Sequence, residues 1–574
     1  MTTIGRQKLI FFAIFFLNTL LFLFFLMTNS YPFYAVGINL LSIITLWVGT
    51  FSLKSIIQIR NKRAIDLVLI ICLFLFAFTV YLYKIDVITP GVQGDEITIA
   101  KVSEQVINSS NFVPFLPFAY GHPTPLLYLT GISISLFGRS VMALRLPYIL
   151  FGAMSIAGFY VLLRLFFQKA VSFCTALLML FSYPLIIVSR LAYEVTPSIF
   201  FQILTAIFLY LAWKTKDIKF YVAVGLSIGA GVYTYLGFRT FALSALLLCT
   251  IIIWKSTLET KEKIQRGYIL LVVLFITTVP LLSYSFFHIN DLISRTNAVS
   301  IFNQNLSPTN FVKETQGNIV QLSHLFFFDG DPNVRNNPSA ISMFDKGTLI
   351  LFLIGLFYIY KKNKVLFLLL LFFSISPIIN DILTLEKIPE FHYYGQGHPN
   401  TLRIAGIIPI IYFSIAYGFD RLKPLINSIG KEFYLYTIYA AAFCIIFFNW
   451  LYYYNQPFNG FVYNFNGAIA MNVVTTINNS QVKDVAVSPK FLQDDGFKYF
   501  INRDTSVKVF SPKNYADAIR QINNHEMTIF SPGYDRQMFA QLYAYAQGAP
   551  IGLETQPLLS PANSIDALVF MKIR

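Results

Sequence analysis

Apolar runs long enough to cross a lipid bilayer recur along the first 451 residues of this chain, and they decide what it can fold into. A helical span needs about 20 apolar residues to bridge roughly 30 Å of hydrocarbon. Such runs fall at 8–28, 33–53, 65–84, 142–166, 171–189, 196–213, 219–237, 239–254, 267–286, 347–361, 364–379, 402–419 and 433–451. The expectation is a polytopic α-helical membrane protein with about thirteen transmembrane helices. Three of them (239–254, 347–361 and 364–379) are short and must borrow from their flanks. With 56% hydrophobic and 12% charged residues, an ordinary soluble globular protein is excluded. Arg6 and Lys8 precede the first run, as in a signal peptide. That run exceeds a signal core of about 7–15 residues and lacks a small-residue cleavage pattern, so it reads as a retained span.

Lysine and arginine set the orientation. One set of alternate loops holds Lys54, Arg60, Lys62 and Arg63, then Arg164 and Lys169, then Lys214, Lys216 and Lys219. It continues with Lys255, Lys261, Lys263 and Arg266, then Lys361, Lys362 and Lys364, then Arg421, Lys423 and Lys431. The other set is much poorer for its length. By the positive-inside rule the first set is cytoplasmic. The N-terminus is then inside a cell (plasma or inner) membrane, and segments 85–141, 287–346, 380–401 and the tail after 452 are extracytoplasmic. The net charge of +15 is mainly this topology signal. The lipid bilayer is the expected partner, and no nucleic acid is. Cys72, Cys174, Cys249 and Cys444 all fall inside expected spans, which argues against a disulfide framework or a metal motif.

Residues 452–574 read as a soluble extracytoplasmic α/β domain. The strand-like runs VAVSP (485–489), VKVFSP (507–512) and MTIFSP (527–532) each end in Ser-Pro and precede a helix-like stretch. Ser as cap with Pro in the first turn is a helix-start signal. Repetition of that unit, closed by the strand DALVFMKIR, predicts a small, mostly parallel sheet. Its simplest role is to cap the membrane part.

Segment 85–141 is far longer than a connector needs, and such loops are usually functional. It opens on Asp95-Glu96, after Pro90-Gly91 and Gly94, and continues as an amphipathic stretch from Ile97 to Ile107 suited to the membrane interface. Two adjacent carboxylates beside the bilayer, on the charge-poor side, are a candidate site for chemistry.

The order GDE, amphipathic helix, GHPTPLLYL, LFG, ALRLPYIL, then YPLIIVSRLAYEVTP resembles the polytopic GT-C superfamily of glycosyltransferases. Within it the likeness is to glycosyltransferase family 39, which includes protein O-mannosyltransferases and the aminoarabinose transferase of lipid A. It is strongest over residues 85–240 and weaker through 420. The two N-terminal helices (1–64) and the tail lie outside it, leaving 65–451 as the GT-C-like catalytic domain. The resemblance implies an enzyme using a polyprenyl-phosphate-linked sugar, with a protein, lipid or glycan as acceptor. It also implies that an acidic residue of the first outer loop is general base toward that acceptor. A carboxylate within reach of the attacking hydroxyl takes its proton as bonding develops, while the lipid phosphate leaves without a strong acid. Cations or donors must hold the leaving charge.

Asp95 matches the family's first acidic position and is assigned as the base. Glu96 is either a helper that orients the acceptor or a carboxylate favouring a helix N-terminus. Glu194, in SRLAYEVTP, is the second acidic candidate; its plainer reading is an ion pair with Arg190 on the same helical face. Arg145 suits structural anchoring as well as phosphate contact. Arg239 in YTYLGFRTF, and His398 and Arg403 in GHPNTLR, are expected donor-phosphate binders, against the alternative of snorkelling interfacial cations. Many family members carry Lys before a Pro-Pro-Leu, where this chain reads His122-Pro123-Thr124-Pro125-Leu126. Either His122 is protonated beside the phosphate or another cation has taken that task.

In the second outer loop Asp329, Asp331 and Asn333 have the look of a calcium-loop start, but Pro332 interrupts it and no spaced Glu follows. A lid with Arg335 turned toward the cavity is the preferred reading. No cofactor is certain, and a divalent cation remains an option. The aromatics, including 34 Tyr and 59 Phe, mainly serve spans and interfacial belts. A transporter or flippase is the alternative class. It would favour charges deep in spans and repeats with broken helices, whereas here the acids cluster at outer ends beside long outer loops.

Overall fold

The computed structural model describes residues 3–50, 63–88, 91–118, 121–303, 306–333, 335–384, 399–427, 431–455, 467–531, 535–548, 553–559 and 565–572. The chain divides into two compact units. One comprises Met1–Tyr83, Gln105–Gly131 and Arg145–Tyr453; the other comprises Lys84–Glu104, Ile132–Leu144 and Tyr454–Arg574.

The first unit is helical. Among the described residues, nine helices are long and apolar enough to cross a membrane: Ile10–Thr28, Ile65–Leu82, Val141–Arg164, Val195–Thr215, Phe238–Lys255, Thr260–Phe287, Lys364–Ile382, Thr401–Leu422 and Tyr436–Tyr454. The expected span 171–189 is a bent helix pair, Lys169–Leu180 followed by Tyr183–Ser189 at 62°. The remaining expected spans are also helices, but shorter: Phe33–Thr50, Ile218–Gly231 and Lys346–Lys362. Among the described residues every expected run carries a helix, and the architecture is that of a polytopic α-helical protein. The segment 85–141 adds a further apolar helix, Pro125–Phe137, shorter than a full span.

Small and polar side chains bring these helices together, because apolar packing alone has little driving force in lipid. Gly225 and Gly229 seat the helix Ile218–Gly231 against Thr260–Phe287, where a Cβ on Gly229 would meet Thr277 Cβ at 2.6 Å. The two N-terminal helices are docked by a buried amide clamp. Asn39 Nδ2 donates to Asn18 Oδ1 at 2.6 Å and to the Ile276 carbonyl at 2.9 Å. A short antiparallel pair, β1 (Phe115–Leu116) and β2 (His122–Pro123), interrupts the segment 85–141.

The second unit is built on a mixed five-stranded sheet. Its strands are β3 (Asp484–Val487), β4 (Ser506–Val509), β5 (Met527–Phe530), β6 (Leu553–Leu559) and β7 (Ile565–Lys572), in the order β4-β3-β5-β7-β6. β3 pairs parallel with β4 and β5, as the repeated strand–helix pattern predicts. β7 runs antiparallel to β5 and forms a hairpin with β6, so half of the sheet departs from the parallel expectation. Phe510, Phe530, Ile522, Leu542 and Phe570 make its core with Ala486 and Ala518. The first Ser-Pro starts a helix directly, with Ser488 at the cap of Pro489–Gln493; the second (Ser511-Pro512) does not, and Pro532 of the third lies outside the described residues. The helices Tyr515–Asn524 and Arg536–Gln547 begin later, capped by Asn514 and Asp535. Each cap's side chain accepts from the backbone N–H three residues on, which is the stronger local signal.

The tail does not form this unit alone. The helix Gly94–Ile107 contributes its residues through Glu104, and the connector 132–144 joins it. Arg139 ties them: Nε and Nη2 fork onto Glu104 at 2.8 and 2.5 Å, Nη1 donates to the Tyr499 carbonyl at 3.3 Å, and the guanidinium sits 4.5 Å from the Tyr499 ring. Lys101 pairs with Asp495 at 3.0 Å.

Candidate functional site

In the helical unit, the site residues descend from two breaks in regular structure. The first is the GHP turn. Gly121 has φ +94, and a Cβ there would meet the Phe115 ring at 2.3 Å, so only glycine fits. Pairing of β2 with β1 and the bond from Thr124 N–H to the Pro114 carbonyl (3.3 Å) then fix His122 just ahead of the helix Pro125–Phe137.

The second is the bent helix pair. Ser182 accepts from Leu185 N–H and, with Pro184 in the first turn, restarts a helix that ends at Ser189. Residues 190–194 therefore form a non-helical link before Val195–Thr215. The expected Arg190–Glu194 pairing on one helical face loses its geometric basis, since there is no helix over those residues. Arg190, fully buried, instead binds the carbonyls that end the helix Arg63–Leu82: Nη1 donates to Tyr83 O at 2.8 Å and also to Tyr81 O, while Nε donates to the Tyr453 hydroxyl at 3.0 Å.

Glu194 holds the cap position of Val195–Thr215 yet makes no capping bond with its side chain. Its Oε1 lies 2.8 Å from His122 Nδ1. Burial pushes the Glu194 carboxyl up, but the charge and hydrogen bond of His122 outweigh it and hold the group below the usual carboxylate range. A carboxylate at this depth is costly unless paired, and the pair meets that condition.

Beside it in sequence, Tyr193 leads into a polar chain through the segment that carries Asp331 and Arg335. Tyr193 hydroxyl accepts from Arg335 Nη1 at 3.2 Å, and its ring lies 4.7 Å from that guanidinium. Arg335 Nε donates to Asn336 Oδ1 at 3.0 Å, and Asn336 Nδ2 donates to Asp331 Oδ2 at 2.9 Å. Asp331 Oδ2 also accepts from Thr401 N–H at 2.7 Å, at the start of the short helix Thr401–Ile404 that carries Arg403. Arg403 Nη1 stands 4.0 Å from Asp381 Oδ1.

The structure thus brings Glu194 to His122, and Arg335 through Asn336 and Asp331 to the start of the helix that carries Arg403. Arg239 is turned to a backbone partner, its Nη1 donating to the Leu292 carbonyl at 3.0 Å. His398 lies outside the described residues. Arg145 is buried in the body of the unit.

The calcium-loop pattern does not converge. Asp329 is exposed and 3.4 Å from His324, whereas Asp331 is buried and satisfied by Asn333 N–H, Asn336 and Thr401. Burial pushes the Asp331 carboxyl up despite these donors. Among the described residues, no group of three His, Cys, Asp or Glu could hold a metal ion. Tyr193, Asp381 and Asn336 carry no signal in the sequence: in a chain so rich in Tyr, one hydroxyl beside Glu194 has no distinguishing pattern.

Asp95 and Glu96 open the helix Gly94–Ile107, in the other compact unit. Gln93 Oε1 accepts from Asp95 N–H at 3.2 Å, and the Asp95 side chain is exposed. Glu96 is fully buried and turns back to accept from Gln93 N–H at 3.5 Å, the third-residue half of a capping box. The two carboxylates therefore face different surroundings.

A family model described as dolichyl-phosphate-mannose-protein mannosyltransferase matches residues 121–284. That stretch contains His122, Tyr193, Glu194, Tyr235 and Arg239, and begins downstream of Asp95. No curated protein sequence matches the chain. Among solved structures, ArnT from Cupriavidus metallidurans bound to undecaprenyl phosphate is similar at 13% identity and a TM-score of 0.45, over 88% of this chain and 98% of that one. The archaeal oligosaccharyltransferase AglB from Archaeoglobus fulgidus, in complex with an inhibitory peptide and a dolichol-phosphate, aligns at 14% identity and a TM-score of 0.40 over 88% and 74%. The S. cerevisiae protein O-mannosyltransferase Pmt1-Pmt2 complex bound to the sugar donor aligns at 17% identity and a TM-score of 0.33 over 44% and 35%. Over residues 121–284 the chain is similar to the dolichyl-phosphate-mannose-protein mannosyltransferases, in keeping with the resemblance read from its motifs.

Proposed function

We propose that this protein is a membrane glycosyltransferase that moves a sugar from a polyprenyl-phosphate donor to an acceptor on the extracytoplasmic side. The observation that carries this reading is the largely buried His122–Glu194 pair, at the start of and within the family-matched segment, next in sequence to Tyr193, whose hydroxyl bonds Arg335. Buried cations beside a carboxylate suit a substrate that brings both a phosphate and sugar hydroxyls.

In the reaction, an acceptor hydroxyl attacks the anomeric carbon as the bond from that carbon to the phosphate oxygen breaks. The electron pair leaves with the polyprenyl phosphate. Asp95, exposed at the start of its helix, takes the hydroxyl proton; this role rests on the sequence resemblance. Arg403 and Arg335 steady the phosphate charge, with His122 adding a positive charge when protonated. Glu194 keeps His122 oriented and favours its protonated form. Glu96 is assigned to holding the helix start, Arg239 to a supporting position, and His398 to donor contact.

The test is to incubate the purified full-length protein with a panel of polyprenyl-phosphate sugars and measure release of polyprenyl phosphate. Asp95→Asn should abolish release while expression and thermal stability hold. Turnover of no donor in the panel, or transport of a lipid-linked substrate without sugar release, would overturn the reading. Normal turnover by Asp95→Asn would remove that residue from the mechanism and leave the donor assignment standing. Loss of release on adding a chelator would show that a divalent cation takes part.

A further inference from the structure

Away from the polar region, the helical unit encloses a cavity of about 1050 Å³ between the helices Val195–Thr215, Phe238–Lys255, Lys364–Ile382 and Ile408–Asn427. Its depth is apolar, with Phe241, Leu248, Ile252, Phe373, Ile410 and Phe413 on its walls. Its polar lining gathers where the Lys-rich connectors meet: Lys216, Lys255, Ser256, Thr257 and Arg421, with Asp420 as the acidic member. Lys216 Nζ donates to Thr257 Oγ1, which joins two of those connectors, and Arg421 lies 5.0 Å from the Tyr417 ring. A cavity this size is at the top of the roughly 300–1,000 Å³ range of small-ligand pockets. Apolar depth and a three-cation mouth call for an amphiphile with an anionic head.

We propose that this cavity is a binding site for one anionic phospholipid, its headgroup held by Lys216, Lys255 and Arg421 and its acyl chains lying among the four helices. Charge decides the class of occupant: three cations against one carboxylate leave the mouth net positive, and the adjacent hydroxyls of Ser256 and Thr257 supply phosphate donors. Basic pockets between membrane helices, on the side rich in Lys and Arg, select acidic headgroups in this way. The expected topology puts this mouth at the inner leaflet, at the opposite helix ends from the outer loops that carry His122 and Arg335. A donor whose phosphate must reach those residues is therefore a poor fit. The lipid's place is structural: it fills a void that, empty, would cost packing among the helices.

Native mass spectrometry of the full-length protein, offered phosphatidylglycerol and phosphatidylcholine in equal amounts, tests this. One tightly retained phosphatidylglycerol is expected, favoured roughly tenfold over the zwitterionic lipid. The triple variant Lys216→Gln, Lys255→Gln, Arg421→Gln should lose the preference, and Ala206→Phe, which fills the wall, should lose retention of both lipids. Equal retention by the unmodified protein overturns the proposal without any variant. So does an unchanged preference in the triple variant, or recovery of a polyprenyl phosphate as the retained species.

Discussion

Glu194 sits where a helix begins, but its carboxylate engages His122 at 2.8 Å rather than its own backbone. Removing His122 leaves the largely buried Glu194 carboxylate without this partner, and because His122 itself is half-buried the cost is less than the roughly 3–5 kcal/mol of a fully buried pair. His122→Ala should therefore lower the thermal stability of the detergent-solubilised protein markedly. The double variant His122→Ala, Glu194→Ala should recover part of that loss, and strict additivity of the two single effects would count against a direct pair. The pH dependence has a fixed sign. The folded Glu194 carboxyl lies below its ordinary range, so its stabilising contribution is full above the unfolded value and fades as pH falls through the folded one. Measured melting curves should lose stability on that acid limb, and His122→Ala should flatten it.

At the scale of elements, close helix approach is written in glycine. A Cβ on Gly355 would come 1.9 Å from the Ser414 carbonyl oxygen, and one on Gly418 would come 3.0 Å from Gly355 Cα. These two positions let the helices Lys346–Lys362 and Ile408–Asn427 touch backbone to backbone. Gly355→Ala must push them apart and should cost roughly 1–3 kcal/mol. A Cβ on Gly267, within Thr260–Phe287, would meet nothing within 4 Å, so Gly267→Ala should stabilise by about 0.5–1 kcal/mol. Opposite shifts in melting temperature are the expected result; equal shifts would mean that the contact does not govern either site. Hydropathy makes the helices legible because the bilayer imposes their length. It is blind to the break at Ser182, which depends on a cap and a proline rather than on mean apolarity. That break is why Arg190 and Glu194, four residues apart, share no helical face. The GHP turn is legible for the opposite reason: a glycine and a proline around one histidine mark fixed backbone. The network through Asn336, Asp331 and Thr401 is not, because Asp331 and Thr401 are 70 positions apart and meet only through the folding of loops.

At the scale of the whole molecule, the sheet-bearing unit gathers three segments far apart in the chain, and Glu104–Arg139 is a main tie among them. The hydrogen bond from Arg139, more than its charge alone, holds the Glu104 carboxyl below the usual range. The tie should therefore persist above the ordinary carboxylate pKa and weaken as pH falls through the folded value. Arg139→Lys keeps the charge but loses the fork, so amide exchange in residues 94–104 should speed up in that variant at neutral pH. The orientation of the membrane body sets where this unit works. Lysine and arginine at alternate helix ends predict that the tail after 452 is extracytoplasmic. In a background with Cys72, Cys174, Cys249 and Cys444 replaced, Lys508→Cys, which is exposed on β4, should react with a membrane-impermeant maleimide in intact cells. Lys261→Cys, in the first turn of Thr260–Phe287 at a Lys-rich helix end, should react only after permeabilisation. The reverse pattern would invert the protein, place Asp95 on the cytoplasmic face and require a donor that is used there.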